Sequence, residues 1–187
     1  LNTWKKLEMR GGGGIFECKA ALGLLGKRVI FGVSAFWEKR KGIDDMIGLS
    51  KILDGDSRMI LAGICNARAG KIPERVLSYG QISSAEGLRQ LYAVADIYLN
   101  PTYDDNYPST NLEALACGTP VLTYDTGGSA ESALLFGRTV KKSDIESLKT
   151  AVEHWNDVSA YCRKQKRIEN EISRKHFVEK YCTLYDM

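Results

Sequence analysis

Short apolar runs alternate along this chain with segments whose apolar residues recur every three to four positions. Val29-Ile30-Phe31-Gly32-Val33-Ser34 is the first run, and its length predicts a buried strand. Residues 59–63, 76–79, 96–99 and 121–124 read the same way, with a short sixth strand at Thr139-Val140. Ile43, Met46, Ile47, Leu49, Ile52 and Leu53 share one helical face, as do Leu88, Leu91, Tyr92 and Ala95. Ser84 or Ser83 suits the cap of the second helix. Residues 109–117 predict a shorter helix, stopped by Gly118 and Pro120. Residues 143–187 read as two or three polar-faced helices, anchored by Leu148, Trp155, Ile172, Phe177 and Tyr181.

Strands apolar on both faces and separated by helices predict an α/β fold. The expected sheet is parallel and Rossmann-like, with about six strands and helices on both faces. Such sheets bind ligands at the carboxyl ends of their strands, so functional residues are expected just after the strands. Residues 1–27 read as an irregular lead-in or linker, and Gly11 to Gly14 within them as a flexible loop. Residues 28–187 read as one domain.

Composition narrows the function classes. A net charge of +3 with no basic stripe argues against nucleic acid and is compatible with a small anion. Five cysteines with no C-x-x-C spacing read as free thiols in a reducing compartment, hence a cytoplasmic protein. His154 and His176 are too few and too scattered for a zinc site or a Ser-His-Asp triad. No apolar run reaches the roughly 18 residues that span a bilayer, and no signal-peptide pattern opens the chain. The first residue is not Met, so residue 1 is read as a cut point. Asp54-Gly55-Asp56 has the D-x-D form of a metal site, but it lies between a helix and a strand, where a plain turn is favoured.

The most informative stretch is 100–120. It follows a strand, carries Asp104 and Asp105, and opens a helix whose unpaired amides and dipole suit a phosphate. Ser109 and Thr110 add hydroxyls there, and Glu113 lies one turn in, where a carboxylate can accept from a ribose. A ligand-free account is equally open: Thr110 and Glu113 fit the capping box T-x-x-E, and Asp104-Asp105-Asn106 fits an ordinary turn.

This stretch closely resembles the acid-x(7)-acid motif of glycosyltransferase family 4, commonly E-G-F-G-x-x-x-x-E-A-x-A-x-G-x-P-V, then a strand and a double glycine. Here it reads D-N-Y-P-S-T-N-L-E-A-L-A-C-G-T-P-V, followed by Thr126-Gly127-Gly128-Ser129-Ala130-Glu131. Arg40-Lys41-Gly42 is similar to the basic pair and glycine that hold the diphosphate in that family. Gly80-Gln81-Ile82 is similar to its base-binding loop. The resemblance runs from about Arg28 to the C-terminus.

It implies the C-terminal, donor-binding half of a GT-B fold, with the N-terminal acceptor domain absent and this half inactive alone. The implied reaction moves a hexose-type sugar, with retention, from a UDP- or GDP-sugar to a glycan or lipid-linked saccharide. Neither metal nor other cofactor is expected. The implied catalytic pair is Asp105, orienting the sugar, and Glu113, holding the ribose. Arg40, Lys41, Ser109 and Thr110 would meet the diphosphate, with Asn106 and Tyr107 also at the donor. Gly127 and Gly128 would form a turn admitting close backbone approach. Gln81 and Ile82 would meet the base through backbone groups.

Three departures stand out. Asp105 replaces the usual glutamate, Ser34-Ala35 replaces a Gly-Arg pair, and Pro108 replaces a glycine. A bacterial polysaccharide pathway is the setting the resemblance suggests. Peripheral membrane contact through Arg163 to Arg167 is the lesser reading of a run that suits a solvated helix face. The rival functions are a sugar-nucleotide epimerase, which wants extra acids and a histidine, and a non-catalytic nucleotide-binding or interaction module, which has no use for Asp105.

Overall fold

The computed structural model describes residues 14–65, 72–155 and 173. Six strands lie among them: β1 (Arg28–Val33), β2 (Ser57–Ala62), β3 (Val76–Ser78), β4 (Ile97–Asn100), β5 (Val121–Tyr124) and β6 (Gly137–Val140). They form one sheet in the order β3-β2-β1-β4-β5-β6, every pairing parallel. The helices are α1 (Ile15–Ala21), α2 (Ile43–Ile52), α3 (Ala85–Val94), α4 (Ser109–Ala116), α5 (Gly127–Ala133) and α6 (Ile145–Glu153), with one 3-10 turn at Lys39–Lys41. The strand order reverses between β1 and β4, so the crevice beyond their carboxyl ends is where this architecture binds ligands.

The apolar runs conceal an alternation. Val29, Phe31, Ile60, Ala62 and Tyr98 face one core, with Leu91 and Tyr92 of α3 and Leu115 of α4. Ile30, Met59, Leu61, Leu99 and Leu122 face a second core, with Met46 and Leu49 of α2 and Leu148 and Val152 of α6. Successive strand residues point to opposite faces, and both faces are covered, which is why β1, β2, β4 and β5 carry apolar residues at consecutive positions.

Two readings need correction. The predicted irregular lead-in contains helix α1. Lys19 of α1 pairs with Asp96 at 3.0 Å, and Asp96 also accepts the Val29 amide at 2.8 Å, so a partner 77 residues away holds the helix. The double glycine is no free turn: Gly127 and Gly128 open α5. Asp54-Gly55-Asp56 is the plain turn expected, Asp54 accepting the Asp56 amide at 3.0 Å before β2. Ile172, Phe177, Tyr181, His176, Cys162, Cys182, Gly11 to Gly13 and the run from Arg163 to Arg167 lie outside the described residues. Among the described residues, no helix is long and apolar enough to cross a membrane.

Candidate donor site

Two adjoining lobes open beyond β1 and β4. The first, about 290 Å³, is lined by Gly63, Gln81, Ile82, Ser83, Leu88 and Glu113 together with Val33, Ser34, Ala35 and Thr110. The second, about 260 Å³, shares those last four residues and adds Phe36, Trp37, Glu38, Arg40, Lys41 and Asn100. The shared wall makes them one cleft with a mostly apolar end, where Glu113 is the one ionisable side chain, and a basic end.

The loop after β1 is fixed from below. Trp37 is buried and its indole N–H donates to the Ala62 carbonyl at 2.7 Å. Gly42 turns the chain into α2 with φ 72°, and a Cβ there would lie 2.1 Å from the Pro101 carbonyl oxygen, so only glycine fits. The same loop is tied to the one after β4. The Arg40 carbonyl accepts from the Tyr103 amide at 2.7 Å and the Thr102 hydroxyl at 3.2 Å. The Lys41 ammonium pairs with the Asp105 carboxylate, both largely shielded. Arg40 is more exposed, pairing with Glu38 at 3.1 Å and reaching the Asp104 carbonyl at 3.4 Å.

On its other side the acidic loop rests on the start of α5. The Gly128 amide donates to the Asp105 carbonyl at 3.2 Å, and Thr126 donates to the Thr102 carbonyl at 2.8 Å. A Cβ on Gly128 would sit 1.7 Å from the Asn106 carbonyl oxygen, and one on Gly127 2.6 Å from that of Asp105. The pair therefore admits the acidic loop of this chain.

Pro108 precedes α4 and gives it no side-chain cap, so the capping box of the ligand-free account is not made. Glu113 accepts instead from the hydroxyl of Tyr92, 3.0 Å from Oε2. Its place comes from a buried polar network beneath. The Asn111 side chain accepts from Asn100 at 2.8 Å and donates to Ser132 at 2.7 Å and Ser129 at 3.2 Å. Thr123 donates to the Asn100 carbonyl at 2.6 Å, and its hydroxyl lies 2.6 Å from that of Ser129. Asn111, Thr123, Ser129 and Ser132 have no exposed surface, and each is paired, which fixes α4 and α5 to the ends of β4 and β5. A second anchor is buried Asp45, which accepts from Tyr103 at 2.6 Å and Tyr124 at 2.7 Å.

Of the residues singled out by sequence, Gln81, Ile82, Thr110, Glu113, Arg40 and Lys41 line the cleft. Asp105, Asn106, Tyr107, Ser109, Gly127 and Gly128 are not among the residues lining either lobe; Asp105 reaches it through its pair with Lys41. The sequence reading missed Trp37, Asn100, Asn111 and Asp45 as parts of the site. It placed Tyr92 on an apolar helix face, and its one available signal was that a buried tyrosine hydroxyl needs a partner.

Residues 16–173 match the family model for glycosyl transferases group 1. The chain belongs to this family. An alignment 186 positions long, covering 92% of this chain, is 27% identical to the alpha-galactosylglucosyldiacylglycerol synthase of Streptococcus pneumoniae. A crystal structure of Anabaena Alr3699/HepE in complex with UDP-glucose superposes with a TM-score of 0.74 at 18% identity over 92% of this chain. Sucrose-phosphate synthase from Thermosynechococcus elongatus gives 0.68 at 21% identity over 91% of this chain. The chain spans about half the length of each: 49%, 52% and 48% respectively. As a group 1 glycosyl transferase domain, it places its Rossmann-like sheet and its cleft at the strand-order reversal.

Proposed function

We propose that this chain is the C-terminal, donor-binding half of a retaining, family 4 type glycosyltransferase that moves a hexose-type sugar from a nucleoside diphosphate sugar. The carrying observation is one cleft with Glu113 at its mostly apolar end, Arg40 and Lys41 at its basic end, and Thr110 in the wall common to both. The base would occupy the lobe of Gln81 and Ile82, meeting backbone groups, and Glu113 would accept from the ribose. The diphosphate would face Arg40, Lys41 and the uncapped start of α4 at Ser109 and Thr110. These cations and amides would stabilise the negative charge that develops on the leaving group without a metal. Asp105 would orient the sugar and offset positive character at its anomeric carbon, with Asn106 and Tyr107 beside it.

The nucleotide-sugar complex of Anabaena HepE supports the donor class. The name of the Streptococcus pneumoniae relative supports a lipid-linked acceptor, held by a facing domain. Calorimetric titration with UDP, GDP and ADP, with and without Mg²⁺, tests the donor site. One nucleotide is expected to bind without metal, and Glu113→Ala is expected to weaken it roughly ten- to hundredfold. Unchanged affinity in Glu113→Ala, or no binding of any of the three, would sink the proposal.

A further inference from the structure

Tyr92 sits in the last turn of α3, 1% exposed, and is not among the residues lining the cleft. Its ring is held edge-on by Phe31, 5.1 Å between centroids at 79°, and by Tyr98, 5.3 Å at 65°. From the other side its carbonyl accepts from the Thr119 hydroxyl at 2.6 Å. A ring so confined has one direction for its hydroxyl, and that direction ends on the first turn of α4. The single proton has two acceptors within reach, Glu113 Oε2 at 3.0 Å and the Thr110 carbonyl at 3.3 Å. The nearer is the carboxylate, and a charged acceptor makes the stronger bond. Burial first, then the neighbouring Tyr98 and Glu113, hold the phenol far above its ordinary pKa, so it remains a donor.

Glu113 is half-buried at the cleft wall, and Oε1 makes no hydrogen bond among the described residues. A glutamate with three rotatable torsions loses side-chain entropy on engaging a ligand. One that is already held at Oε2 by a rigid donor has less to lose, and its second oxygen is aimed in advance. We infer that Tyr92 is a positioning residue for ribose recognition: its hydroxyl locks one oxygen of Glu113 so that the other meets the ribose hydroxyls. This rests on the donor-site reading of Glu113.

The test is a comparison of two ligands. Whichever of UDP, GDP and ADP binds the chain tightest is titrated beside its 2′,3′-dideoxy counterpart. The ligands are compared on wild type, Glu113→Ala and Tyr92→Phe, with the unfolding temperature of each variant measured in parallel. The wild type should prefer the ribonucleotide roughly ten- to hundredfold, and Glu113→Ala should abolish the preference. Tyr92→Phe keeps the ring packing and should cut the preference about fivefold while leaving dideoxynucleotide affinity unchanged, as one lost hydrogen bond implies. A merely structural tyrosine would move both affinities together, or the unfolding temperature alone. If wild type shows no preference, or Glu113→Ala keeps it, the reading of Glu113 falls and this role falls with it. If those two behave as expected and Tyr92→Phe keeps the full preference, the Tyr92 role alone is overturned.

Discussion

Helices α4 and α6 solve the same problem at their first turn in opposite ways. Each begins with amides that have no partner within the helix. At α6, Asp144 supplies the missing acceptor itself, taking the Ser147 amide at 2.9 Å while the Ser147 hydroxyl donates back at 2.7 Å. At α4, Pro108 offers no side-chain acceptor, although Thr110 and Glu113 have the right identities for a box. Thr110 faces the cleft, and Glu113 is committed to Tyr92. Helix α3 sharpens the contrast. It borders the mostly apolar lobe through Leu88, and it is capped, Ser84 accepting the Gly87 amide at 3.0 Å. Of these three helices the one left open lies between the basic loop and the acidic loop, where an anion is expected; α1, α2 and α5 also begin without a side-chain cap. What holds α4 in place of a cap is the buried network of Asn111.

Removing that substitute should have the largest effect. Asn111→Ala removes three hydrogen bonds at once, to Asn100, Ser129 and Ser132, and leaves the Asn100 amide without its partner, while Ser129 keeps Thr123 and Ser132 keeps the Ser129 carbonyl; it should cost about 3 kcal/mol. A melting experiment should show this as a fall of about 6–12 °C; a fall below ~2 °C would mean α4 is held some other way. Next comes Pro108→Asp, which gives α4 the kind of cap that α6 has. Its carboxylate would occupy the open amides and repel a phosphate, so nucleotide affinity should drop about tenfold with no fall in unfolding temperature. Affinity equal to wild type would show that the open start takes no part in binding.

The smallest effect is expected at the capped end. Asp144→Ala should leave nucleotide binding alone and lower the unfolding temperature slightly at neutral pH. The Ser147 amide, then its hydroxyl, holds the Asp144 carboxyl below its ordinary pKa of 3.8. The cap is therefore at full strength above that value and is lost as pH falls through the depressed folded one. Melts of both proteins across this range should converge on acidification, and a gap that widened instead would reverse the assignment.

Much of the fold was legible because its strands are buried on both faces. Val121 to Tyr124 could only be a covered strand, and Gly118 and Pro120 could only end the helix before it. Chain order then placed Arg40, Lys41, Gln81 and Glu113 after strands, and the structure gathers them at one crevice. What the pattern did not carry were partners distant in sequence. Helix α1 depends on Asp96, across 77 residues, and its own seven residues bury only Cys18. Asn111 looked like one more polar helix residue, because nothing local reveals three partners on two other elements. The box at Thr110 and Glu113, one of two open accounts, fails for the converse reason: a local rule was satisfied in sequence, and Glu113 is held by Tyr92 instead. The double glycine was noticed for its approach to the donor, and the structure adds a demand from within the chain, because the atom crowding Gly128 is the Asn106 carbonyl.

The pairing of Lys41 with Asp105 has a bearing on turnover. On the donor-site reading, the cation meant for the diphosphate and the acid meant for the sugar neutralise one another until a donor arrives. Incoming phosphates would displace Asp105, and the transferable sugar would be there to receive it. With the sugar gone after transfer, Asp105 would compete again for Lys41 against the spent nucleotide. On that reading the contact would act as an ejector, favouring the intact donor over the bare product and hastening the vacating of the cleft.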